Sequence, residues 1–487
     1  MEKVLLKKLN ILEIILILSP IIDILTSITQ RTFNIDISLG LIIRSFLLFF
    51  MSMFMLVKSK YKYKKITIAY FCSILIYFAI FIVSTYLNKG NEFILSETKE
   101  LIKVFYFPIC LIAVLNYLET EDNKINLKIL FIVILEYIVL LFIPSVLNTG
   151  YESYAEDKVG TIGWFYSANE ISAIYSILIV ILIFSYSYIK NLAIYLIIIG
   201  LSLYTILQIG TKLPAATAII SIVGYSLIGL LQYMITKEKK HLKIFGVGIL
   251  VSFIFVPIFI YSPVLKNFDI YKNYLINTRE TNAVETKIMV DETESIQNAE
   301  KNDIQNIETK DEQIILEKEQ EKTEDETLES VENINCQDNG TQKEEEVKLT
   351  EDEIATIIHS GRAATKKEVQ NAFNELTNIN KLIGLGYRNS NNSFYYLIEI
   401  DYYDILYNYG YLGFVIYFLP VIGMLILILK GIFSRKIKML ILDERKCCFI
   451  LIIINGLICA IAGHTFVAPA VSIYIAIALI QLYREYE

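Results

Sequence analysis

The chain has 487 residues, of which 55% are hydrophobic and 20% are charged. This charged fraction lies below the roughly 25% of soluble globular domains, and the apolar residues fall in runs long enough to cross a bilayer as helices. The formal net charge of −7 gives no indication of nucleic-acid binding, because residues 280–353 carry 25 Asp and Glu against 7 Lys and Arg and the rest of the chain is basic.

The apolar runs predict an all-α polytopic membrane protein with about 12 transmembrane helices. Three N-terminal lysines precede the first run, and no small-x-small cleavage site follows it, so we interpret that run as an uncleaved helix. Lysine-rich and arginine-rich segments such as 58–65 and 435–438 place both termini in the cytoplasm. The predicted spans are 11–28, 36–57, 66–87, 101–118, 127–146, 170–188, 191–209, 213–235, 244–262, 404–429, 447–463 and 468–483.

This topology divides the chain into three regions. Residues 1–262 hold helices 1–9, residues 263–403 form a large extracytoplasmic loop between helices 9 and 10, and residues 404–487 hold helices 10–12. Within the loop, 280–353 is rich in Glu, Lys, Gln and Asn and poor in aromatic residues, which predicts a disordered insert. Residues 360–403 should be ordered, with a helix from about 361 to 382 that Ser360 can cap and that Gly384 ends.

Charged residues in or beside membrane spans are candidates for function, because burying a charge in a bilayer is costly. Arg44 lies in the second span, where either substrate binding or an internal ion pair with Asp23 or Asp36 would explain it. Lys212 lies at the outer end of the seventh span, before the next helix, where a cation beside exposed helix N–H groups suits a phosphate. A lysine at a membrane interface is the alternative.

Two arginines and two carboxylates mark the ordered part of the large loop. Arg362 and Arg388 suit bidentate contact with phosphate oxygens. Glu399 and Asp401 come just before the tenth span, where desolvation could raise the pKa of a carboxyl and make it a general base. Charges that stabilise the first turn of that helix are the alternative.

A few further polar residues complete the candidates. Asn169 closes a Gly-marked segment that begins at Gly160 and precedes the sixth span. His464 follows the eleventh span, where it could serve as an acid or base or as a hydrogen-bonding anchor. The sequence contains no HExxH, paired-cysteine, Walker or dinucleotide pattern, so we expect no metal site and no cofactor.

Five Gly-marked motifs follow one another along the chain, namely Gly160 to Asn169, Gly210-Thr211-Lys212, Ser360-Gly361-Arg362, Gly384-Leu385-Gly386-Tyr387, and Gly410 with Gly413. In layout and in order, these motifs resemble the O-antigen ligase and O-antigen polymerase family of polytopic membrane enzymes. The resemblance covers nearly the whole chain, and it departs from the family where a histidine would follow the Gly-Leu-Gly run, since this chain has Glu399 and Asp401 there instead.

The resemblance implies a metal-independent glycosyl transfer on the outer face of the cytoplasmic membrane. The donor would be a polyprenyl-diphosphate-linked oligosaccharide, and the acceptor a glycan or another envelope component, with other polysaccharide-assembly proteins as further candidate partners. Arg362 and either Glu399 or Asp401 would be catalytic, while Lys212, Arg388, Arg44, Asn169, His464 and Tyr387 would bind the diphosphate or glycan. A transporter or flippase-like permease for an envelope precursor is the alternative, and so is a non-catalytic scaffold.

Overall fold

The computed structural model describes residues 10–33, 38–57, 64–120, 125–154, 158–273, 276, 362–388, 396–434, 440–461, 463 and 465–486. The acidic insert 280–353 lies outside these residues, and so does His464. The chain forms two compact units, and the first of them, Met1–Ile270 with His359–Glu487, holds every feature below. The described residues form helices and no strand, apart from one isolated bridge between Glu152 and Thr161.

The helices are numbered here in chain order. They are α1 (Ile11–Phe33), α2 (Leu39–Val57), α3 (Lys64–Lys89), α4 (Ile94–Thr120), α5 (Leu127–Val146), α6 (Ala168–Phe184), α7 (Tyr186–Ile189), α8 (Leu192–Gln208), α9 (Lys212–Thr236), α10 (Lys239–Ile260), α11 (Arg362–Glu375), α12 (Asn378–Ile383), α13 (Asp401–Ser434), α14 (Glu444–Ile461) and α15 (Pro469–Tyr486). A 3₁₀ turn, Asn91–Phe93, joins α3 to α4.

The fold is that of a multi-spanning membrane protein. Seven helices of the described chain are long and apolar enough to cross a membrane by length and composition, namely α1, α3, α4, α5, α9, α10 and α13. Four shorter apolar stretches lie in α2, α6, α8 and α15. Each predicted span overlaps a helix of the structure, and the span predicted over 170–188 overlaps two, α6 and α7.

The centre of the bundle is α6. Every residue from Ile171 to Phe184 is buried, as expected of a helix that is apolar on all sides. It packs against α5, α9, α14 and α15. Peripheral helices instead expose large apolar side chains, as at Phe253 of α10, which is 72% exposed.

One predicted helix differs from the structure. The helix expected over 361–382 is two helices, α11 and α12, because Thr377 begins a new helix by accepting a hydrogen bond from Asn380 N at 3.3 Å. Val369 and Phe373 are buried on the inner side of α11. Gly384 ends α12 with a φ of 101°, a backbone region that favours glycine.

Candidate functional site

The site is built around a break in α13. At Gly410 the backbone leaves the helical region, with φ 66° and ψ −177°. Two carbonyl oxygens of the preceding turn accept hydrogen bonds from another loop. Leu385 N donates to Tyr407 O at 2.9 Å, and Gly386 N donates to Asn408 O at 2.8 Å. The loop after α12, residues 384–388, is therefore fixed to the broken helix.

A buried ion pair holds the other side of this loop. The Glu97 carboxylate is 1% exposed and accepts hydrogen bonds from Tyr387 N at 3.0 Å and Arg388 N at 2.9 Å. It also accepts one at 2.6 Å from Lys89 Nζ, which in turn donates to Arg388 O. Burial raises the pKa of Tyr387 well above its ordinary value, and the charge of Asp404 raises it further. The loop is thus anchored through its backbone.

A second loop reaches the same end of the bundle. Asn267, which is 6% exposed, accepts a hydrogen bond from Val159 N at 2.7 Å and donates to Val159 O and to Gly210 O at 2.7 and 2.9 Å. Gly210 has a φ of 79°, and a Cβ there would meet the Val159 carbonyl oxygen. Asn267 therefore holds together the backbone beside two lysines, since Lys158 immediately precedes Val159 and Lys212 lies two residues after Gly210.

A cluster of cations forms where these loops meet, and we call it the basic cluster. Arg362 Nε and Nη2 both donate to Glu399 Oε2, at 3.3 and 2.9 Å. Arg362 and Lys158 are close enough to Lys212 for their positive charges to act on its ammonium group. The basic cluster thus comprises three cations, Arg362, Lys212 and Lys158, and one carboxylate, Glu399.

A tyrosine connects the basic cluster to the loop at Gly210. The Tyr154 hydroxyl donates to Gly210 O at 3.5 Å, and the Lys158 ammonium lies 5.4 Å from the centre of the Tyr154 ring. Burial raises the pKa of Tyr154, while the charge of Arg362 opposes that rise. Tyr154 is therefore neutral at physiological pH and can act as a hydrogen-bond donor beside the cations.

The two candidate bases are in different environments. Asp401 is 0% exposed, and its Oδ2 accepts hydrogen bonds from Thr465 N at 2.8 Å and Phe466 N at 2.6 Å. The Glu399 side chain is 36% exposed and belongs to the basic cluster. Glu399 also has a φ of 62°, which is unusual for a residue other than glycine. Asp401 thus supports the loop before α15, while Glu399 lies at the accessible cations.

The arrangement places Arg362, Lys212 and Glu399 together although their positions span nearly 190 residues of sequence. A family model described as "O-antigen ligase like membrane protein" matches residues 6–485. The chain belongs to this family. No curated protein and no solved structure matches it.

In this O-antigen ligase-like protein, Arg44 lies apart from the basic cluster. It forms an ion pair with Asp23, whose other carboxylate oxygen accepts a hydrogen bond from Tyr137 OH at 2.7 Å. Arg44 is 6% exposed and lines a cavity between α1, α2, α4 and α6. The structure thus contains one of the ion pairs that we considered for Arg44, and a cavity beside it.

The remaining predicted residues are distributed over other places. Arg388 is exposed and lines a separate cavity of about 310 Å³ with Lys89 and Tyr396. Tyr387 is 5% exposed, and its ring packs against Tyr409 with centroids 5.9 Å apart. Asn169 lies half-buried in the first turn of α6. The structure does not bring these residues into the basic cluster.

Four residues that shape the site of this ligase-like protein were not predicted from the sequence. Glu97, Asn267, Lys158 and Tyr154 lie in segments that we treated as span ends or connecting loops. Glu97 could have been found from the concentration of charged residues between Glu97 and Lys103, at the start of an apolar run. Placing charged side chains in or near a membrane is costly, so such residues are candidates for function. Within the described residues, no group of three His, Cys, Asp or Glu could hold a metal ion.

Proposed function

We propose that this O-antigen ligase-like chain transfers an oligosaccharide from a polyprenyl diphosphate to an acceptor hydroxyl, as a polymerase or a ligase of envelope polysaccharide. The twelve predicted spans would place the basic cluster on the outer face of the cytoplasmic membrane, with both termini in the cytoplasm. The observation that carries the proposal is the basic cluster itself, in which Arg362 and Glu399 form an ion pair beside Lys212 and Lys158.

The charge of the basic cluster suits a diphosphate. Three cations and one carboxylate leave two positive charges in excess among these four groups. Arginine binds phosphate oxygens through two parallel N–H groups, and the lysines act as point charges. Such fixed charges stabilise negative charge that develops in a transition state, which is commonly a large contribution to catalysis.

The reaction then requires one proton transfer. The oxygen of the acceptor hydroxyl attacks the anomeric carbon of the donor sugar and inverts it, while Glu399 accepts the hydroxyl proton. The bond between the anomeric carbon and the diphosphate oxygen breaks, and its electron pair leaves with the diphosphate. Arg362, Lys212 and Lys158 neutralise that leaving group, so the proposal assigns no part to a metal ion.

The Arg362–Glu399 pair couples donor binding to the base. A carboxylate that accepts two hydrogen bonds from arginine is a weaker base, because these bonds favour its charged form. A bound diphosphate competes with Glu399 for the same guanidinium. Donor binding would therefore release Glu399 toward the acceptor, and the base would become active when the donor is in place.

The test is Arg362→Ala in a strain that lacks the native gene. We expect loss of glycan assembly, visible on a polysaccharide gel, at an unchanged amount of membrane protein on an immunoblot. The matched control is Lys367→Ala, which removes an exposed cation from the same helix and should leave assembly intact. Normal glycan in the Arg362→Ala strain would remove Arg362 from the mechanism.

A further inference from the structure

A polar cavity lies beside the loop 384–388. It has a volume of about 310 Å³ and is bounded by the end of α3, the end of α11, α12 and this loop. None of the four residues of the basic cluster, all of which the structure describes, lines it. Arg362 begins α11 and Glu375 ends it at the cavity, and a helix of 14 residues is about 20 Å long. The cavity is therefore a separate place for a ligand, one helix length from Arg362.

The loop side of this cavity is fixed by hydrogen bonds to the backbone. Lys89 Nζ donates to Arg388 O at 2.5 Å, and Tyr396 N donates to Tyr387 O at 2.7 Å. Asn408 Nδ2 in turn donates to Tyr396 O at 2.8 Å, which ties this wall to the broken helix α13. A wall that is already ordered loses little conformational freedom when a ligand binds, and this favours affinity.

Two side chains of the cavity, on α11 and α12, are available to a ligand. Among the residues that the structure describes, the Glu375 carboxylate and the Asn380 side-chain amide have no hydrogen-bond or ion-pair partner. Burial raises the pKa of Tyr396, which also lines the cavity, and the charges of Glu368 and Glu375 raise it further. The Tyr396 hydroxyl is therefore protonated at physiological pH. A carboxylate, an amide and a hydroxyl together offer acceptors and donors to one ligand.

The chemistry of the lining suits a neutral sugar better than an anion. Lys89 is paired with Glu97 at 2.6 Å, so the remaining charges of the lining are one cation, Arg388, and one carboxylate, Glu375. Sugar hydroxyls both donate and accept hydrogen bonds, which matches the mixed donors and acceptors of the cavity. The ring of Phe81 adds apolar surface for the C–H groups of a sugar ring. The volume lies at the lower end of the range of about 300–1,000 Å³ for small-ligand pockets.

We propose that this cavity binds a neutral sugar unit of the donor oligosaccharide, away from the unit that reacts. The inference rests on the proposed transfer, in which the basic cluster holds the diphosphate end of the donor. The cavity then holds a unit further along the same glycan. Because the length of α11, about 20 Å, exceeds that of one sugar ring, the two sites together select a donor of several units over a single sugar.

Binding in the cavity adds to the affinity for the donor without acting on the bond that breaks. A contact so far from the reacting carbon is the same in the ground state and in the transition state. Its loss therefore raises KM and leaves kcat unchanged. The same contact can be measured as simple binding, with a glycan that carries no diphosphate.

The experiment uses the full chain in lipid nanodiscs and measures Kd by fluorescence anisotropy. The probe is the oligosaccharide that mild acid releases from the lipid-linked donor of the same strain, with a fluorophore at its reducing end. Asn380→Ala removes a ligand contact and Ala372→Trp fills the cavity, and each should raise Kd about tenfold. The matched controls are Asn378→Ala on α12 and Asn371→Trp on α11, at exposed positions outside the cavity, which should leave Kd unchanged.

A competition with inorganic pyrophosphate separates a sugar site from an anion site. It is carried out on Arg362→Ala, in which the basic cluster lacks its arginine, and pyrophosphate should leave the probe bound. Displacement of the probe would show that the cavity binds anions and would overturn the assignment. An unchanged Kd in both cavity variants would also overturn it, and so would the absence of probe binding to the unaltered chain.

The outcomes distinguish this inference from the proposed transfer. If Asn380→Ala weakens probe binding while Arg362→Ala still assembles glycan, the proposed transfer fails and the sugar site stands. If Arg362→Ala is inactive while both cavity variants bind the probe normally, the sugar site alone fails.

Discussion

Glu399 combines an unfavourable backbone with an accessible side chain. Its φ of 62° lies in the left-handed region, which costs about 1–2 kcal/mol for an ordinary residue. Its neighbours hold this conformation. Asp404 accepts a hydrogen bond from the N–H of Ile398, and Gly463 packs so closely that a Cβ there would collide with the Glu399 carbonyl oxygen. Strained backbone of this kind is concentrated at functional sites. The strain supports Glu399 as the residue that acts on substrate.

Glu399→Gln and Asp401→Asn should therefore have different consequences. Removing a general base lowers the rate by roughly 10²–10⁴-fold, so Glu399→Gln should abolish most glycan transfer without changing the thermal midpoint. Asp401→Asn replaces the charged oxygen that accepts from two buried N–H groups by a neutral amide oxygen. Hydrogen bonds to a charged group contribute about 1.5–3 kcal/mol and those to a neutral group about 0.5–1.5 kcal/mol, so this variant should lower the midpoint. Transfer is measured with membranes and donor, and the midpoint by thermal unfolding in detergent.

The opposite result would reassign the base. If Asp401→Asn abolished transfer at an unchanged midpoint while Glu399→Gln remained active, Asp401 would be the group that takes the proton. Arg362→Lys provides a control for the ion pair, because it keeps the charge of the basic cluster and removes the two-nitrogen contact with Glu399.

The sequence indicates which residues are candidates for the site, but it does not indicate which of them lie close together in the folded protein. Arg362 and Arg388 look alike in sequence, as arginines after glycine-marked segments. The structure separates them, because the Arg388 backbone is fixed to Glu97 and Lys89 and its side chain lines another cavity. Such separation depends on contacts between residues about 290 positions apart in the chain, which no local pattern encodes.

Helices could be predicted better than their interruptions. Apolar runs indicated where long apolar helices lie, since length and hydropathy decide them, although α4 begins at Ile94 and its predicted span at 101. Seven helices of the described chain are long and apolar enough to cross a membrane. The break in α13 gave a weak signal, a glycine inside a long apolar run. The backbone there is stabilised by the loop 384–386, whose N–H groups donate hydrogen bonds to the carbonyl oxygens of Tyr407 and Asn408. A local sequence window does not contain that loop.

Gly410→Ala tests whether this break holds the site together. At φ 66° and ψ −177° the backbone is in a region that is nearly exclusive to glycine. A Cβ would also lie 2.6 Å from Gly384 N and Leu382 O. We expect a loss of at least about 1–3 kcal/mol in unfolding free energy, measured as a lower thermal midpoint, and a loss of glycan transfer.

Gly423→Ala on the same helix is the matched control. No atom lies within 4 Å of a Cβ at Gly423, and alanine is favoured over glycine in a helix by up to about 1 kcal/mol. This variant should keep the midpoint or raise it, with normal transfer. Equal behaviour of the two variants would show that the break in α13 does not position the loop that binds it.

The molecule as a whole has a formal net charge of −7, but it consists of a basic membrane part and one acidic segment. Residues 280–353 carry 25 acidic and 7 basic residues, and no residue of the basic cluster lies among them. The cluster instead draws its residues from positions 158, 212, 362 and 399. If transfer is the function of the chain, this acidic segment is a spacer, whereas a scaffold would depend on it for binding a partner.

Deleting 280–353 therefore discriminates between these two functions. We expect the shortened chain, with a Gly/Ser linker in place of the deleted residues, to reach the membrane in normal amount and to assemble glycan. Flexible loops tolerate changes in length because closing them costs only about 0.6 kcal/mol per doubling. A second linker of twice the length controls for loop closure, and Arg362→Ala in the shortened chain should still be inactive. Loss of assembly at normal protein level with both linkers would show that the acidic segment is required, which is the behaviour of a scaffold.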